Sequence, residues 1–198
     1  EKLITEPFST PATYTKEDFS AIVTGNLTYT GLAQTPAVSL SVISSNTGRY
    51  ITANKWLEDA LENKKITYSF KQIKDGDGNS VTADEKSKIT DAGTYEIYAI
   101  SSDDDFAIKK ESLGKINVAK GNCEAPNAIP TLTATVTEDR RSFIVSADIS
   151  SVTNKDGNTV DYSFNNGKFS TDNTFAAEKE TEVTVSIRFA STVNTNTS

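Results

Sequence analysis

Apolar and polar residues alternate over much of the chain, the period-two signature of strands with one buried face. Val38, Leu40 and Val42 are separated by Ser39 and Ser41. Ile66, Tyr68 and Phe70 repeat the pattern, as do Tyr95, Ile97 and Ala99, and then Ile116 with Val118. Further on come Leu132, Ala134 and Val136, then Phe143, Val145, Ala147 and Ile149. Val160, Tyr162 and Phe164 form another set, and Val183, Val185, Ile187 and Phe189 the last. Between them lie turn-forming runs: Lys74-Asp75-Gly76-Asp77-Gly78-Asn79, Glu138-Asp139-Arg140-Arg141 and Lys155-Asp156-Gly157-Asn158, rich in residues that tolerate positive φ. Two segments break the alternation. Thr15-Lys16-Glu17-Asp18 reads as a short helical cap before Phe19. From Asn54 to Lys64, Trp56, Leu57, Ala60 and Leu61 fall at helical spacing, with Glu58, Asp59 and Glu62 on the opposite side. So short a helix does not stand alone in water, which predicts that it packs on a sheet.

Ala119-Lys120-Gly121-Asn122-Cys123-Glu124-Ala125-Pro126 is small, polar and ended by proline, and reads as a linker. The expected fold class is therefore all-β, with two β-sandwich domains in tandem. The first covers 1–120, with one short helix around Trp56, and the second, smaller one 121–198. Composition agrees. Thr (27), Ile (15) and Val (12) far outnumber Leu (8), and branching at Cβ suits a pleated surface better than a helix. With neither an initiator Met nor a signal peptide, the sequence reads as a piece of a longer protein.

The net charge of −7 is spread over both halves. Neither carries the basic field that phosphate neutralisation needs, so nucleic acid and anionic membranes are not expected partners. No apolar run approaches the roughly 20 residues of a membrane helix, so membrane insertion is not expected either. The chain has no His and one Cys, which removes His-activated nucleophiles, internal disulfides and CxxC redox pairs. Zinc, haem and iron–sulfur cofactors lose their usual ligands too. Glu58 and Glu62, four residues apart on one helix face, are solvated carboxylates rather than a glycosidase pair. The expectation is a protein that is not an enzyme.

Several motifs, in order, resemble a known family. Glu17-Asp18-Phe19, Leu27-Thr28-Tyr29-Thr30-Gly31, Lys74-Asp75-Gly76 and Asp91-Ala92-Gly93-Thr94-Tyr95 are similar to the MBG-type Ig-like repeats of large bacterial surface proteins, over about residues 10–120. Val160-Asp161-Tyr162-Ser163, Asn166-Gly167-Lys168-Phe169, Asp172-Asn173-Thr174-Phe175 and the stretch from Glu182 to Thr192 resemble a second Ig-like or fibronectin type III-like repeat, over about 124–198. Phe169 stands where such repeats commonly have Trp, and Val183 where Tyr is usual, which predicts a repacked second core. The resemblance implies two tandem Ig-like sandwiches, secreted to the bacterial cell surface as a non-catalytic spacer or adhesion module. Its partners would be other domains of the same surface protein and a host or cell-wall glycan or protein.

The candidate site residues follow from this. Asp91, Gly93 and Tyr95 have the spacing of a tyrosine corner, in which a Tyr hydroxyl bonds nearby backbone and pins a sandwich crossing. Asp75, Asp77 and Asn79 place oxygen ligands at alternate positions, as a calcium loop does. Ser80 and Lys86 then stand where an EF-hand needs Gly and a bidentate Glu, so a hairpin turn is the favoured reading. Asp103, Asp104 and Asp105 are the second weak calcium candidate, and no other cofactor is expected. Trp56, the only Trp, is the one ligand-binding candidate. The alternative function is thus a glycan-binding module with its aromatic platform near Trp56, joined by Tyr14, Tyr29, Tyr50 or Tyr98.

Overall fold

The computed structural model describes residues 12–42, 55, 58–60, 62–63, 65–102, 106–153 and 158–198. Within these the protein is all-β, built from several small sheets in a sandwich-like arrangement. The chain divides into two compact units, Glu1–Ala119 and Lys120–Ser198.

In unit 1 the described strands are β1 (Ala12–Tyr14), β2 (Phe19–Thr24), β3 (Leu27–Thr28), β4 (Ala37–Val42), β5 (Ile66–Asp75), β6 (Glu85–Lys86), β7 (Gly93–Ser101), β8 (Phe106–Ile108) and β9 (Gly114–Ala119). Five of them form one sheet in the order β3-β9-β7-β5-β6, while β2 pairs antiparallel with β4 and β1 parallel with β8. Alternation translates directly into burial along β7, where Tyr95, Ile97 and Ala99 are buried and Glu96 and Tyr98 only partly so. Leu40 of β4 packs with Ile66 and Ala99 in one apolar cluster, and Val23 and Val38 pack beside Phe70, Tyr95 and Ile97 in the next. The two-stranded layer therefore covers the inner face of the large sheet. Phe70, Ile89 and Ile97 are the largest side chains sealed completely.

Residues 16–18 form a turn, not the helical cap that their composition predicts. Asp18 accepts from the Thr15 amide at 2.9 Å and its own amide donates to the Thr15 carbonyl at 3.0 Å. Phe19 then enters β2 at once, leaving no room for a helical turn. Backbone at 55, 58–60 and 62 is helical, and Ala60 is buried in the cluster with Leu40 and Ile66. Trp56, Leu57 and Leu61 lie outside the described residues.

Unit 2 contains β10 (Thr131–Val136), β11 (Ser142–Asp148), β12 (Val160–Phe164), β13 (Thr174–Glu178) and β14 (Val185–Phe189). They form a three-stranded sheet, β10-β11-β13, and a two-stranded sheet, β12-β14, all antiparallel. Phe164 of one stacks on Phe175 of the other with ring centroids 5.5 Å apart. Val145, Ala147, Tyr162, Ala177 and Phe189 form the buried apolar set. Every residue of β10 is exposed. Leu132, Ala134 and Val136 share a face with Val145 and Ala147, as their alternation requires, but nothing described covers them. Phe169 is not in the core either: it is 38% exposed, with the Arg188 guanidinium 4.3 Å above its ring.

Candidate functional site

The most constrained spot in unit 1 is the start of β7. Opposite it, β5 slips register between Gln72 and Lys74, so Ile73 is an extra residue and the strand bulges. Gly93 faces this bulge with φ of +142°. A Cβ there would lie 2.2 Å from the Lys74 carbonyl oxygen and 2.8 Å from Gln72 Nε2. Only glycine fits, for both reasons at once. Two bonds lock the crossing. Gln72 Nε2 donates to the Ala92 carbonyl at 3.0 Å, and Tyr95 Oη donates to the Asp91 carbonyl at 2.8 Å. Burial, with the nearby Asp91 carboxylate adding to it, pushes the Tyr95 hydroxyl up to about 12. The phenol is thereby held neutral as the donor of this bond.

A small hollow opens beside it, lined by Phe70, Gln72, Asp84, Lys86, Asp91 and Tyr95 among others, with about 20 Å³ of interior space. That holds about one water molecule and no sugar ring.

The Asp75 loop is closed on itself. Asp75 Oδ1 accepts from the amides of Asp77 and Asn79 at 3.0 and 2.9 Å, and Oδ2 from Asn79 Nδ2 at 3.2 Å. Lost solvation works against the charge, but these donors outweigh it and hold the carboxyl below its usual range. An Asn79 amide hydrogen thus points at the carboxylate oxygen that a cation would claim. Lys74 and Ser80 bridge antiparallel across the loop, which makes it a hairpin turn. Among the described residues no three acidic, Cys or His side chains gather as metal ligands. Asp103, Asp104 and Asp105 lie outside the described residues, as does Trp56. Tyr14 is buried and Tyr98 bonds Glu96 at 2.8 Å, so these two do not share a platform.

The feature that the sequence pattern gives no hint of is how each unit closes. In unit 1, β1 pairs parallel with β8, and β3 parallel with β9, the strand that ends the unit. The second pairing extends by a bond from the Tyr29 amide to the Ala119 carbonyl at 2.8 Å. In unit 2, Gly121 at its start bridges parallel to Thr195 near its end, through Gly121 N to Asn194 O and Asn196 N to Gly121 O, both 2.9 Å. Beside this bridge Asn158 Nδ2 reaches Cys123 Sγ at 3.0 Å and Thr195 Oγ1 at 3.3 Å, while Lys120 Nζ donates to the Thr192 carbonyl at 2.7 Å. These pairings involve one to three residues and too little alternation to be read in advance.

No family model matches the chain, and no curated protein is significantly similar to it.

Proposed function

We propose that the chain is a non-catalytic module of a bacterial cell-surface protein, a pair of Ig-like domains serving as spacer and adhesion unit, with neighbouring domains of that protein as its partners. The observation that carries this reading is the parallel closure of both units. When a chain is pulled at its two ends, an early and a late strand that run parallel are dragged in opposite directions along their length. Their hydrogen bonds are then strained together in shear, whereas an antiparallel hairpin pulled at its open end loses them one at a time. β1 with β8, β3 with β9, and Gly121 with Thr195 are all of the sheared kind. Such a design suits a tether under tension. The Tyr95 bond to Asp91 has the form of the corner that pins Ig-like sandwiches. The absence of His from the chain favours a role without catalysis.

Stretching single molecules of the full chain from both ends tests this. The expected record has two abrupt unfolding events, one releasing roughly 40 nm and the other roughly 28 nm, the extended lengths of the two units. Replacing Gly121 by Pro, which removes one of the two bridging donors, should lower the force of the shorter event alone. A smooth extension at low force, with no abrupt event, would sink the spacer reading.

A further inference from the structure

The five-stranded sheet of unit 1 and the three-stranded sheet of unit 2 end in very different outer strands. β3 and β6, the outer strands of the five-stranded sheet, are two residues long each, and β6 is the charged pair Glu85 and Lys86. Short, charged edges are how sheets avoid pairing with other chains. β10 is six residues long, lies at the end of its sheet, and is exposed at every position. Not one charged residue occurs from Ala125 to Thr137, in a chain whose residues are 24% charged. Among the described residues β10 has a ladder partner on one side only.

We infer that β10 is a self-pairing edge, through which two copies of this chain join antiparallel about a two-fold axis at Ala134. Three independent features select a second copy, and they select the same register. The first is the direction of the free backbone groups. The Thr137 amide donates to Ser142, while the Ala147 amide turns away from β10 to Asn173. Antiparallel ladders alternate, so Thr131, Thr133 and Thr135 bond β11, and the N–H and C=O of Leu132, Ala134 and Val136 aim outward. The second is facing. Directly opposed residues share a face, so the inner-face Leu132, Ala134 and Val136 must meet inner-face residues of the partner. Placing Ala134 opposite Ala134 meets both conditions and forms about six main-chain hydrogen bonds. The third is the sequence, Thr131-Leu132-Thr133-Ala134-Thr135-Val136-Thr137, which reads almost the same in both directions from Ala134. In this register Leu132 meets Val136, and Thr133 meets Thr135, a favourable cross-strand pair.

Charge permits the same arrangement. The charged turn Glu138-Asp139-Arg140-Arg141 lies beyond the paired span, and β10 itself carries no charged residue. The two Glu138 side chains lie at opposite ends, roughly 27 Å apart at 3.4 Å per residue, beyond screening distance. The interface is isologous and closes at two copies, and the joined strands make one six-stranded sheet.

Sedimentation velocity on the full chain tests this. The wild type should show a dimer fraction that rises between about 10 and 500 μM, as expected of a small interface. Ala134→Pro removes an outward donor and no bond to β11, a substitution that edge strands accept. It should leave the circular dichroism and melting profile in place and abolish the dimer. Ala134→Lys and Ala134→Glu set like charges face to face across the axis, so each alone should be monomeric, while an equimolar mixture should recover the dimer. A wild type that stays monomeric at every concentration overturns the inference. So does a dimer that persists in folded Ala134→Pro, or a Lys and Glu mixture that remains monomeric.

Discussion

The two units obey the same alternation and end with different cores. Tyr95, Ile97 and Ala99 of β7 lie beneath a covering layer and are 5%, 0% and 1% exposed. In β10, Leu132 and Val136 repeat the pattern and are 38% and 53% exposed. The difference lies opposite the strand rather than in it. β7 is central in a five-stranded sheet with β2 and β4 packed against it, whereas β10 is the outer strand of three facing a sheet of two. A period-two pattern states which side chains share a face, and the width of the opposing sheet decides whether that face is dry. The stability of the protein should therefore be concentrated in unit 1. In the monomer, amide exchange should be slowest along β7 and fastest along β10.

The largest effect expected is at the bulge. Gly93→Ala forces a Cβ into the Lys74 carbonyl at a φ that L-residues avoid, and should destabilise unit 1 by more than about 3 kcal/mol. Calorimetry should show one transition falling and the other unmoved. Next in size is the contrast between cores. Ile97→Ala should cost about 3 kcal/mol, as deep truncations do, and Leu132→Ala under about 1 kcal/mol because the site already meets water. Equal losses at the two positions would erase the distinction between a covered and an uncovered inner face.

Within unit 1 a finer contrast separates two tyrosines. Tyr95 Oη donates to Asp91, while buried Tyr68 Oη has no partner among the described residues. Tyr95→Phe should thus lower stability by about 1 kcal/mol, and Tyr68→Phe should be neutral or slightly stabilising, because it removes an unsatisfied polar atom. Alkali gives a second reading of the same residue, whose burial raises its pKa. Tyr95 ionises at about 12 in the fold, against about 10 unfolded. Its raised value means that its contribution is complete below pH 10 and is lost as pH rises towards 12. Chemical denaturation followed across that window should show a loss that is smaller in Tyr95→Phe.

Much of this was legible in the residues. The all-β class follows from branched residues and alternation, and β4, β5, β7, β9, β11, β12 and β14 fall on the alternating sets. The turn at Asp75 was legible because Asp-Gly-Asp-Gly-Asn offers positive φ twice. β13 is not legible as a strand: Thr174 to Glu178 is short, and Phe175 and Ala177 are too few to establish a period. The Asn165-Asn166-Gly167 turn carries a legible signal, since both asparagines adopt positive φ, 51° and 57°. The parallel closures were not legible at all. They depend on which ends of the fold meet, and one-residue bridges such as Gly121 to Thr195 leave no periodic trace. β10 shows the converse failure, a clear strand that no described neighbour covers.

The smallest effect expected is where the units should agree. Each has an acidic turn closed by its own donors: Asp75 accepts from Asp77 and Asn79, and Asp139 from the Thr137 hydroxyl and the Arg141 amide. These bonds hold both carboxyls below their usual range. A depressed folded pKa means that the stabilisation is present above the unfolded value, about 3.9, and is lost as pH falls through the folded one. Acid below about pH 4 should therefore weaken both units. Calcium should weaken or strengthen neither, because an ion that binds only the folded state must raise its transition by mass action, and the Asp75 and Asp139 oxygens are already engaged. With millimolar calcium added at neutral pH, both calorimetric transitions should stay within about 1 °C of their values in chelator. A rise confined to unit 1, abolished by Asp75→Asn, would show that the loop opens to take an ion despite its internal bonds, and that the two turns differ after all.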